Sequence, residues 1–203
     1  MQNRSAALQA FVDAAETAFK ERAQGEESRR SVSRSFSALA APADKPRATP
    51  ANEGSRLPVC DAHLDQMIDP TRFPDADLAA LAETFRALEP ALSWSKRKGT
   101  TAAASDTFDQ GHANTLIIGP GGLERRTDVW LGVSLLAPDV RYPDHDHPPE
   151  ETYLCMSRGE FTHGGSDWFE PGPGGSFYNS PGILHAMRSG SEPLLAFWLL
   201  LTA

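Results

Sequence analysis

The segment Tyr142–Tyr153, YPDHDHPPEETY, concentrates the side chains of this sequence that can bind a metal or move a proton. Four of them occupy odd-numbered positions: His145, His147, Glu151 and Tyr153. In extended backbone, alternate side chains point to the same face. The two histidines can therefore converge on one point, and the glutamate and the tyrosine can join them after a turn at Pro148-Pro149. We expect Glu150, which has the opposite parity, to point away.

This spacing predicts a metal site inside a small β-barrel. Two imidazoles and a carboxylate form a mixed nitrogen and oxygen ligand set, which suits a divalent first-row metal. A fourth ligand has to come from another part of the chain, and His185 is the obvious candidate. Histidine and glutamate sites accept zinc, iron, manganese, cobalt and nickel, so the ligand types do not choose among these metals.

The length and composition indicate one ordinary domain with an N-terminal extension. The chain has 203 residues, and 40% of them are hydrophobic, which is enough for a core that does not depend on disulfides. The two cysteines, Cys60 and Cys155, form neither a metal-binding pair nor a disulfide framework. We expect two reduced thiols, with a single disulfide between them as the alternative.

Charge and hydropathy exclude two classes of partner. The formal net charge of −8 argues against nucleic acid, because phosphate binding needs a basic face. No apolar run approaches the length of a membrane span, and the N-terminus has no hydrophobic signal core. We therefore expect a cytoplasmic protein whose partner is a small molecule.

The first half of the chain has helical patterns. An apolar stripe predicts a helix from about Ser5 to Gln24, and prolines delimit two shorter helices at Val59–Ile68 and Asp75–Leu88. From about residue 25 to 58, serine, arginine, alanine, proline and glutamate dominate and the periodicity is lost, which predicts a flexible linker. We assign residues 1–110 to this helical region.

The second half has the patterns of a β-protein. His112–Ile118 and Val129–Leu136 are rich in β-branched and large apolar residues, and a fully apolar final strand spans Pro193–Leu201. We count about eight short strands between glycine and proline turns, including one at Trp168-Phe169. This pattern favours an antiparallel sandwich or barrel over residues 111–203.

Two further histidines have no predicted chemical role. His163 lies beside Gly164-Gly165 in a predicted hairpin, and we expect it to be exposed. His112 precedes a strand, and we expect a structural histidine whose ring nitrogens are satisfied.

The histidine-rich segment and His185 together resemble the two cupin motifs. The pattern HxHxxxE at residues 145–151, followed by Gly159, is similar to the first motif, and PGxxH at residues 181–185 is similar to the second. The resemblance implies a mainly β fold, a cupin double-stranded β-helix barrel, here preceded by N-terminal α-helices. It also implies one divalent transition metal ion with four ligands: His145, His147, Glu151 and His185.

A closer resemblance, from residue 112 to the C-terminus, is to the cupin-type dimethylsulfoniopropionate (DMSP) lyases, especially the Q-type (DddQ-like) enzymes of marine bacteria. Six short patterns carry it: His112-Ala113-Asn114, Gly119–Leu123, Leu135–Pro138, Tyr142–His147, Glu151-x-Tyr153 and His185–Arg188. These lyases differ from a generic cupin by a tyrosine two residues beyond the glutamate, and Tyr153 occupies that position. The resemblance implies cleavage of DMSP to dimethyl sulfide and acrylate.

The elimination sets its own requirements. It needs a base for the proton next to the substrate carboxylate, and a Lewis acid, such as a divalent metal, for the enolate-like charge that develops. Tyr153 is the candidate base, because a neighbouring metal lowers the pKa of a phenol from its ordinary value of about 10. The resemblance implies that Tyr142 helps to hold the substrate at the catalytic site.

The sulfonium end of DMSP needs an aromatic wall, because cation–π attraction stabilises it. Three aromatic residues of the predicted strands are candidates, and the first is preferred: Trp198, Trp130 and Tyr178.

Two other functions remain open. The same ligands serve cupin dioxygenases and isomerases on another small carboxylate, and a non-catalytic cupin only binds a small molecule. Tyr153 favours a lyase over an oxygenase, because an oxygenase needs open metal positions rather than a neighbouring phenol. Cupins are often dimers, so a homodimer is compatible with the resemblance.

Overall fold

The N-terminal region consists of helices. The computed structural model describes residues 4–41, 54–99 and 101–202. Its α-helices are α1 (Ala6–Arg22), α2 (Gly25–Ala40), α3 (Pro58–Met67), α4 (Ala76–Leu88) and α5 (Phe108–Gly111). Helix α1 begins after Ser5, whose hydroxyl accepts a hydrogen bond from the backbone N–H of Leu8. The three helices predicted from apolar spacing, which correspond to α1, α3 and α4, are confirmed to within two residues at each end.

The flexible linker predicted over residues 25–58 is wrong for its first 16 residues, which form α2. The buried positions of α2 keep helical spacing, but serines occupy half of them: Ser28, Ser31, Val32, Ser35, Phe36 and Leu39. Because serine is polar, these positions do not form an apolar stripe, and the helical spacing of the buried residues is not visible in the sequence. Arg30 and Arg34 also join α2 to the barrel through ion pairs with Glu150, at 3.2 and 3.7 Å. Residues 42–53 of the predicted linker lie outside the described residues.

The described part of the barrel has seven strands. They are β1 (His112–Ile118), β2 (Val129–Leu136), β3 (Glu150–Cys155), β4 (Glu160–His163), β5 (Ser176–Asn179), β6 (His185–Arg188) and β7 (Leu194–Leu201). Five form an antiparallel sheet in the order β1-β2-β7-β3-β5, and β4 pairs with β6 in a second sheet. The strand predicted at Trp168-Phe169 is reduced to a single bridge between Phe161 and Phe169.

The outer face of the five-stranded sheet packs against the helices. Leu131, Val133 and Leu135 of β2 belong to one apolar cluster that also contains residues of α1 to α4. The Phe85 ring of α4 meets the Phe197 ring of β7 edge-on, at a centroid distance of 5.2 Å. The helices therefore share a core with the barrel, and the division into 1–110 and 111–203 stays a prediction.

The inner face of the same sheet forms a second apolar cluster with the two-stranded sheet. Tyr153 of β3 shares this cluster with Phe161 of β4 and Met187 of β6. The two cysteines are free and buried in different clusters, Cys60 in the outer and Cys155 in the inner one, so no disulfide joins them. None of the described helices is long and apolar enough to cross a membrane. The fold is the cupin barrel, preceded by helices, that the sequence predicts.

Candidate metal and active site

Backbone pairing brings the two halves of the candidate site together. The N–H of His145 donates to the carbonyl of His185 at 3.0 Å, and the reverse hydrogen bond is 2.9 Å long. The chain then turns, and β3 begins at Glu150. Strand alternation places Glu151 and Tyr153 on the inner face of the barrel, opposite Leu200 and Trp198 of β7.

Three of the four predicted metal ligands lie close together. One ligand atom each of His147, Glu151 and His185 lies within 4.8 Å of the others. Oε2 of Glu151 is 3.4 Å from Nε2 of His147 and 3.2 Å from Nε2 of His185. The ring of His145 lies beside this group, with its centroid 4.0 Å from that of His185, and its assignment as a ligand stays a prediction.

The protonation pattern of the histidines suits a metal. Each Nδ1 lies 2.9–3.0 Å from a carbonyl oxygen two residues away: Pro143 for His145, Pro149 for His147 and Ile183 for His185. Only a protonated Nδ1 can donate to a carbonyl, so each neutral ring keeps the lone pair of Nε2 for another partner. Nε2 of His185 is buried, and its polar neighbour is Oε2 of Glu151 at 3.2 Å. When the rings are neutral, these lone pairs repel the carboxylate oxygen that they face. A proton on Nε2 removes this repulsion, and so does a metal cation in the place of the proton, so this donor set fits a metal ion.

Electrostatics keep Glu151 ionised although it is buried. Burial acts to raise the pKa of Glu151, but His147 and His185 outweigh it, and the net pKa lies below the usual value. Burial acts to lower the pKa of His147, and the Glu151 carboxylate outweighs it in the opposite direction. Burial and the neighbouring His185 lower the pKa of His145 to about 3. An ionised carboxylate and a neutral imidazole are the forms that bind metals, so the proton that Glu151 favours on His147 has to leave when a metal binds.

A side-chain amide orients the Glu151 carboxylate. Asn179 of β5 donates from Nδ2 to Oε2 of Glu151 at 3.1 Å, and its Oδ1 accepts a hydrogen bond from Nδ1 of His163 at 2.7 Å. His163 is half-buried in β4, so the prediction that it is exposed is wrong. No sequence motif points to Asn179, because its role follows from the register in which it pairs with Glu151.

Tyr153 is buried next to the ligand cluster. Its ring stacks on Phe177 at a centroid distance of 5.1 Å and lies 6.3 Å from the ring of His185. Burial, reinforced by the charge of Glu151, raises the pKa of Tyr153 well above its ordinary value. The protein by itself therefore keeps this phenol protonated. Phe177 also contacts Phe161 and Phe169, and this aromatic wall is not among the candidates predicted from the sequence.

Tyr142 lies beside His145, with the ring centroids 5.1 Å apart. Its hydroxyl accepts a hydrogen bond from Nδ2 of Asn114 at 3.1 Å. The guanidinium carbon of Arg97 lies 5.5 Å from the centroid of the Tyr142 ring. Burial raises the pKa of Tyr142, and the positive charge of Arg97 opposes this effect.

Trp198 lies on the inner face and is joined to Tyr142 by hydrogen bonds. Its Nε1 donates to the hydroxyl oxygen of Ser134 at 3.1 Å, and the Ser134 hydroxyl donates to Oδ1 of Asn114 at 2.7 Å. Because Asn114 also donates to Tyr142, one chain of hydrogen bonds connects the preferred aromatic candidate to the candidate substrate-holding tyrosine.

The other two aromatic candidates, Trp130 and Tyr178, lie on different faces of the sheet. Trp130 shares the inner face of β2 with Ser134, and its role stays a prediction. Tyr178 lies on the outer face, where its hydroxyl donates to Oε2 of Glu150 at 2.6 Å. The prediction that Tyr178 contacts the sulfonium is wrong, because alternation along β5 turns Phe177 inward and Tyr178 outward. Glu150 points away from the site, as predicted.

The sequence is similar to those of known lyases. The family model described as dimethylsulfoniopropionate lyase matches residues 27–196. Dimethylsulfoniopropionate lyase DddQ of Ruegeria pomeroyi is 27% identical over 152 residues, which cover 68% of this chain and 75% of that protein.

Solved structures share the whole arrangement of helices and barrel. A chain from the crystal structures of the DMSP lyases RdDddP and RnDddQII matches with a TM-score of 0.69 at 23% identity, covering 98% of this chain and 93% of that one. DddQ from Ruegeria pomeroyi matches with a TM-score of 0.67 at 21% identity, again covering 98% and 93%. These two likenesses show the fold. Because the family model spans most of the sequence, the chain belongs to the dimethylsulfoniopropionate lyase family.

Proposed function

We propose that this protein is a metal-dependent carbon–sulfur lyase that cleaves DMSP to dimethyl sulfide and acrylate by base-catalysed β-elimination. Membership of the family supports the substrate. One observation carries the mechanism: the buried phenol of Tyr153 lies next to a cluster of His147, Glu151 and His185. A phenol beside a metal site can ionise to a phenolate, which is the form that removes a proton next to a Lewis acid.

The site residues fit a divalent transition metal ion. His147, Glu151 and His185 would hold it, with His145 as the fourth ligand that the cupin motif implies. When bound, the ion supplies Lewis acidity toward the substrate carboxylate and a positive field that favours the phenolate of Tyr153. Zinc, iron, manganese, cobalt and nickel all suit this ligand set, and occupancy follows availability as much as affinity.

In this proposal, Tyr153 acts as the phenolate after its own proton has passed to solvent, and it removes the proton from the carbon next to the substrate carboxylate. The electron pair of that C–H bond forms the double bond of acrylate, and the C–S bond breaks with its electron pair on dimethyl sulfide. The proton stays on the phenol oxygen. The sulfonium is already a good leaving group, so the reaction needs no general acid.

Tyr142 and the inner aromatic residues hold the substrate. Tyr142 lies between His145 and the hydrogen-bonded chain that leads to Trp198. The faces of Trp198 and of Phe177, which stacks on Tyr153, can stabilise a sulfonium by cation–π attraction. A cytoplasmic location and a homodimer stay predictions of the sequence.

Headspace gas chromatography of dimethyl sulfide over metal-loaded protein and DMSP tests the proposal. We expect product with at least one of iron, manganese, cobalt and zinc, and a rate about 10²- to 10⁴-fold lower for Tyr153→Phe. If no metal gives dimethyl sulfide above the Tyr153→Phe background, the lyase proposal is wrong.

A further inference from the structure

Arg97 lies against the site without an acidic partner among the described residues. Its guanidinium carbon is 5.5 Å from the centroid of the Tyr142 ring. Its Nε is buried and has no hydrogen-bond partner in the described part of the chain. Other arginines of the barrel region pair with carboxylates: Arg126, Arg141, Arg158 and Arg188. Arg97 hydrogen-bonds to the side chain of Tyr142, and no carboxylate of the described residues pairs with its charge.

The backbone around Arg97 is anchored to the barrel. The N–H of Arg97 donates to Nε2 of His112 at 2.7 Å, and Nδ1 of His112 bonds to the carbonyl of Phe108. The rings of His112 and Phe108 stack at a centroid distance of 3.7 Å. Two residues earlier, Ser95 exchanges backbone hydrogen bonds of 2.8 and 2.9 Å with Asn114 of β1. His112 is thus the satisfied structural histidine that the sequence predicts, and it holds the backbone of Arg97, whose Nε has no hydrogen-bond partner among the described residues.

This arrangement suits a carboxylate ligand. A buried donor without a partner is costly, and a ligand that accepts its hydrogen bond recovers that cost. The planar fork of a guanidinium matches the two oxygens of a carboxylate, and a fixed backbone reduces the entropy lost on binding. Tyr142 connects this cation to the ligand cluster, because its ring is also 5.1 Å from that of His145. A small acid that reaches the cluster past Tyr142 would lie next to the guanidinium.

We propose that Arg97 is a substrate-binding residue. Its guanidinium donates hydrogen bonds to the carboxylate of the substrate beside Tyr142, and its positive charge repels the sulfonium end. Arg97 thereby determines which end of the zwitterion lies next to His145. The inference rests on the proposed lyase function and adds a specificity determinant to it. It also accounts for a second positive group at a site where enolate-like charge develops on the carboxylate.

Binding of propionate to the metal-loaded protein, measured by calorimetry and compared with the neutral analogue propionamide, tests this role without relying on turnover. We expect Arg97→Gln to weaken propionate binding about 10- to 100-fold and to leave propionamide nearly unchanged. Arg97→Lys keeps the charge but loses the planar fork of the guanidinium. Its affinity for propionate should lie between those of the wild type and Arg97→Gln. Lys98→Gln is the matched control, because it removes the same charge from the exposed neighbouring position and should bind like the wild type.

The DMSP assay on the same variants separates this inference from the lyase proposal. We expect Arg97→Gln to raise the KM for DMSP about tenfold or more at unchanged metal content. If the wild type forms no dimethyl sulfide but propionate binding depends on Arg97, the lyase proposal is wrong and the proposal that Arg97 binds a carboxylate is supported. If the wild type is active and Arg97→Gln behaves like Lys98→Gln, the carboxylate site is overturned. Equal weakening of propionate and propionamide, or loss of the metal, also overturns it, because Arg97 then serves only the fold.

Discussion

At the scale of single residues, the site depends on a buried carboxylate that stays charged. Burial disfavours the ionised form of Glu151. Two imidazoles at 3.4 and 3.2 Å and the amide of Asn179 at 3.1 Å offset this penalty. Glu151 is therefore deprotonated before a cation binds, and the proton that metal binding releases comes from the histidine side of the pair, where Glu151 raises the pKa of His147.

Two substitutions should separate metal binding from proton removal. Tyr153→Phe removes only a hydroxyl next to the cluster, so we expect full metal content with elimination lost. His147→Ala removes a member of the cluster, so we expect both metal and activity to be lost. Metal analysis by mass spectrometry together with dimethyl sulfide release measures the two effects. Substantial activity in Tyr153→Phe would show that another group is the base.

At the scale of the elements, β2 leaves space for the indole of Trp198. A Cβ atom at Gly132 would lie 2.3 Å from Cη2 and Cζ2 of Trp198, and 2.6 Å from the carbonyl oxygen of Thr115. A glycine inside a strand often marks such a close approach. The space lets the indole lie across the strand and reach Ser134, so this glycine supports the hydrogen-bonded chain to Tyr142.

Gly132→Ala should therefore displace Trp198 and impair substrate binding. We expect a loss of about 1–3 kcal/mol in the free energy of unfolding, because the added methyl group overpacks the inner face. We also expect a higher KM for DMSP and a shifted tryptophan fluorescence spectrum. Gly190→Ala is the matched control, since its Cβ would meet no atom within 4 Å. An unchanged spectrum and KM in Gly132→Ala would contradict this interpretation.

Helices α1 and α4 are joined by an ion pair with a defined pH dependence. Arg22 donates from Nη2 to Oδ1 of Asp77 at 2.6 Å and from Nε to Oδ2 at 2.8 Å. Burial acts to raise the pKa of Asp77, and Arg22 outweighs it, so the net pKa falls below 3.8. A carboxyl group with a lowered pKa in the folded state stabilises the fold above its unfolded pKa. That contribution is lost as the pH falls through the lower folded value.

Asp77→Asn should therefore reduce the free energy of unfolding by about 1–2 kcal/mol at pH 7, and this difference from the wild type should shrink below about pH 4. Urea denaturation at several pH values measures it. Asp75→Asn is the control, because Asp75 is exposed and lies 3.2 Å from the same arginine, so a smaller effect is expected. A difference for Asp77→Asn that does not change with pH would exclude the ion pair as its cause.

At the scale of the whole molecule, the helices and the site lie on opposite faces of one sheet. The helices cover the outer face, and the two-stranded sheet packs on the inner one. The ligand cluster draws Glu151 from the five-stranded sheet and His185 from the two-stranded sheet. A metal bound there would connect the two sheets, so metal binding should stabilise the entire barrel.

Removal of the metal should lower the melting temperature. At a free metal concentration of about 1,000 times Kd, binding stabilises the folded state by about 4 kcal/mol. For a chain of this size, that corresponds to roughly 10 °C. Differential scanning calorimetry of the loaded protein with and without chelator measures the shift, and His185→Ala should be insensitive to chelator. A loaded wild type that melts at the same temperature with chelator would show that the metal does not connect the sheets.

The sequence predicts the features that depend on residues close together in the chain better than those that depend on contacts between distant segments. Helices with large apolar stripes and strands with β-branched runs are predicted, because spacing within a segment records which face is buried. Helix α2 is not predicted, because serines fill half of its buried face. Tyr178 is predicted on the wrong face, because alternation gives two faces but does not state which one is inward.

By itself, the sequence determined the cupin motifs, the parity that sets Glu151 and Tyr153 on one face and Glu150 on the other, and the order of helices before strands. These features are local, since they follow from backbone periodicity and from the chemistry of the side chains. Only the tertiary structure decided that Asn179 orients Glu151, that Ser134 and Asn114 join Trp198 to Tyr142, and that Arg97 lies over the ring of Tyr142. These contacts depend on strand register and on the docking of distant segments, which packing across the whole barrel sets.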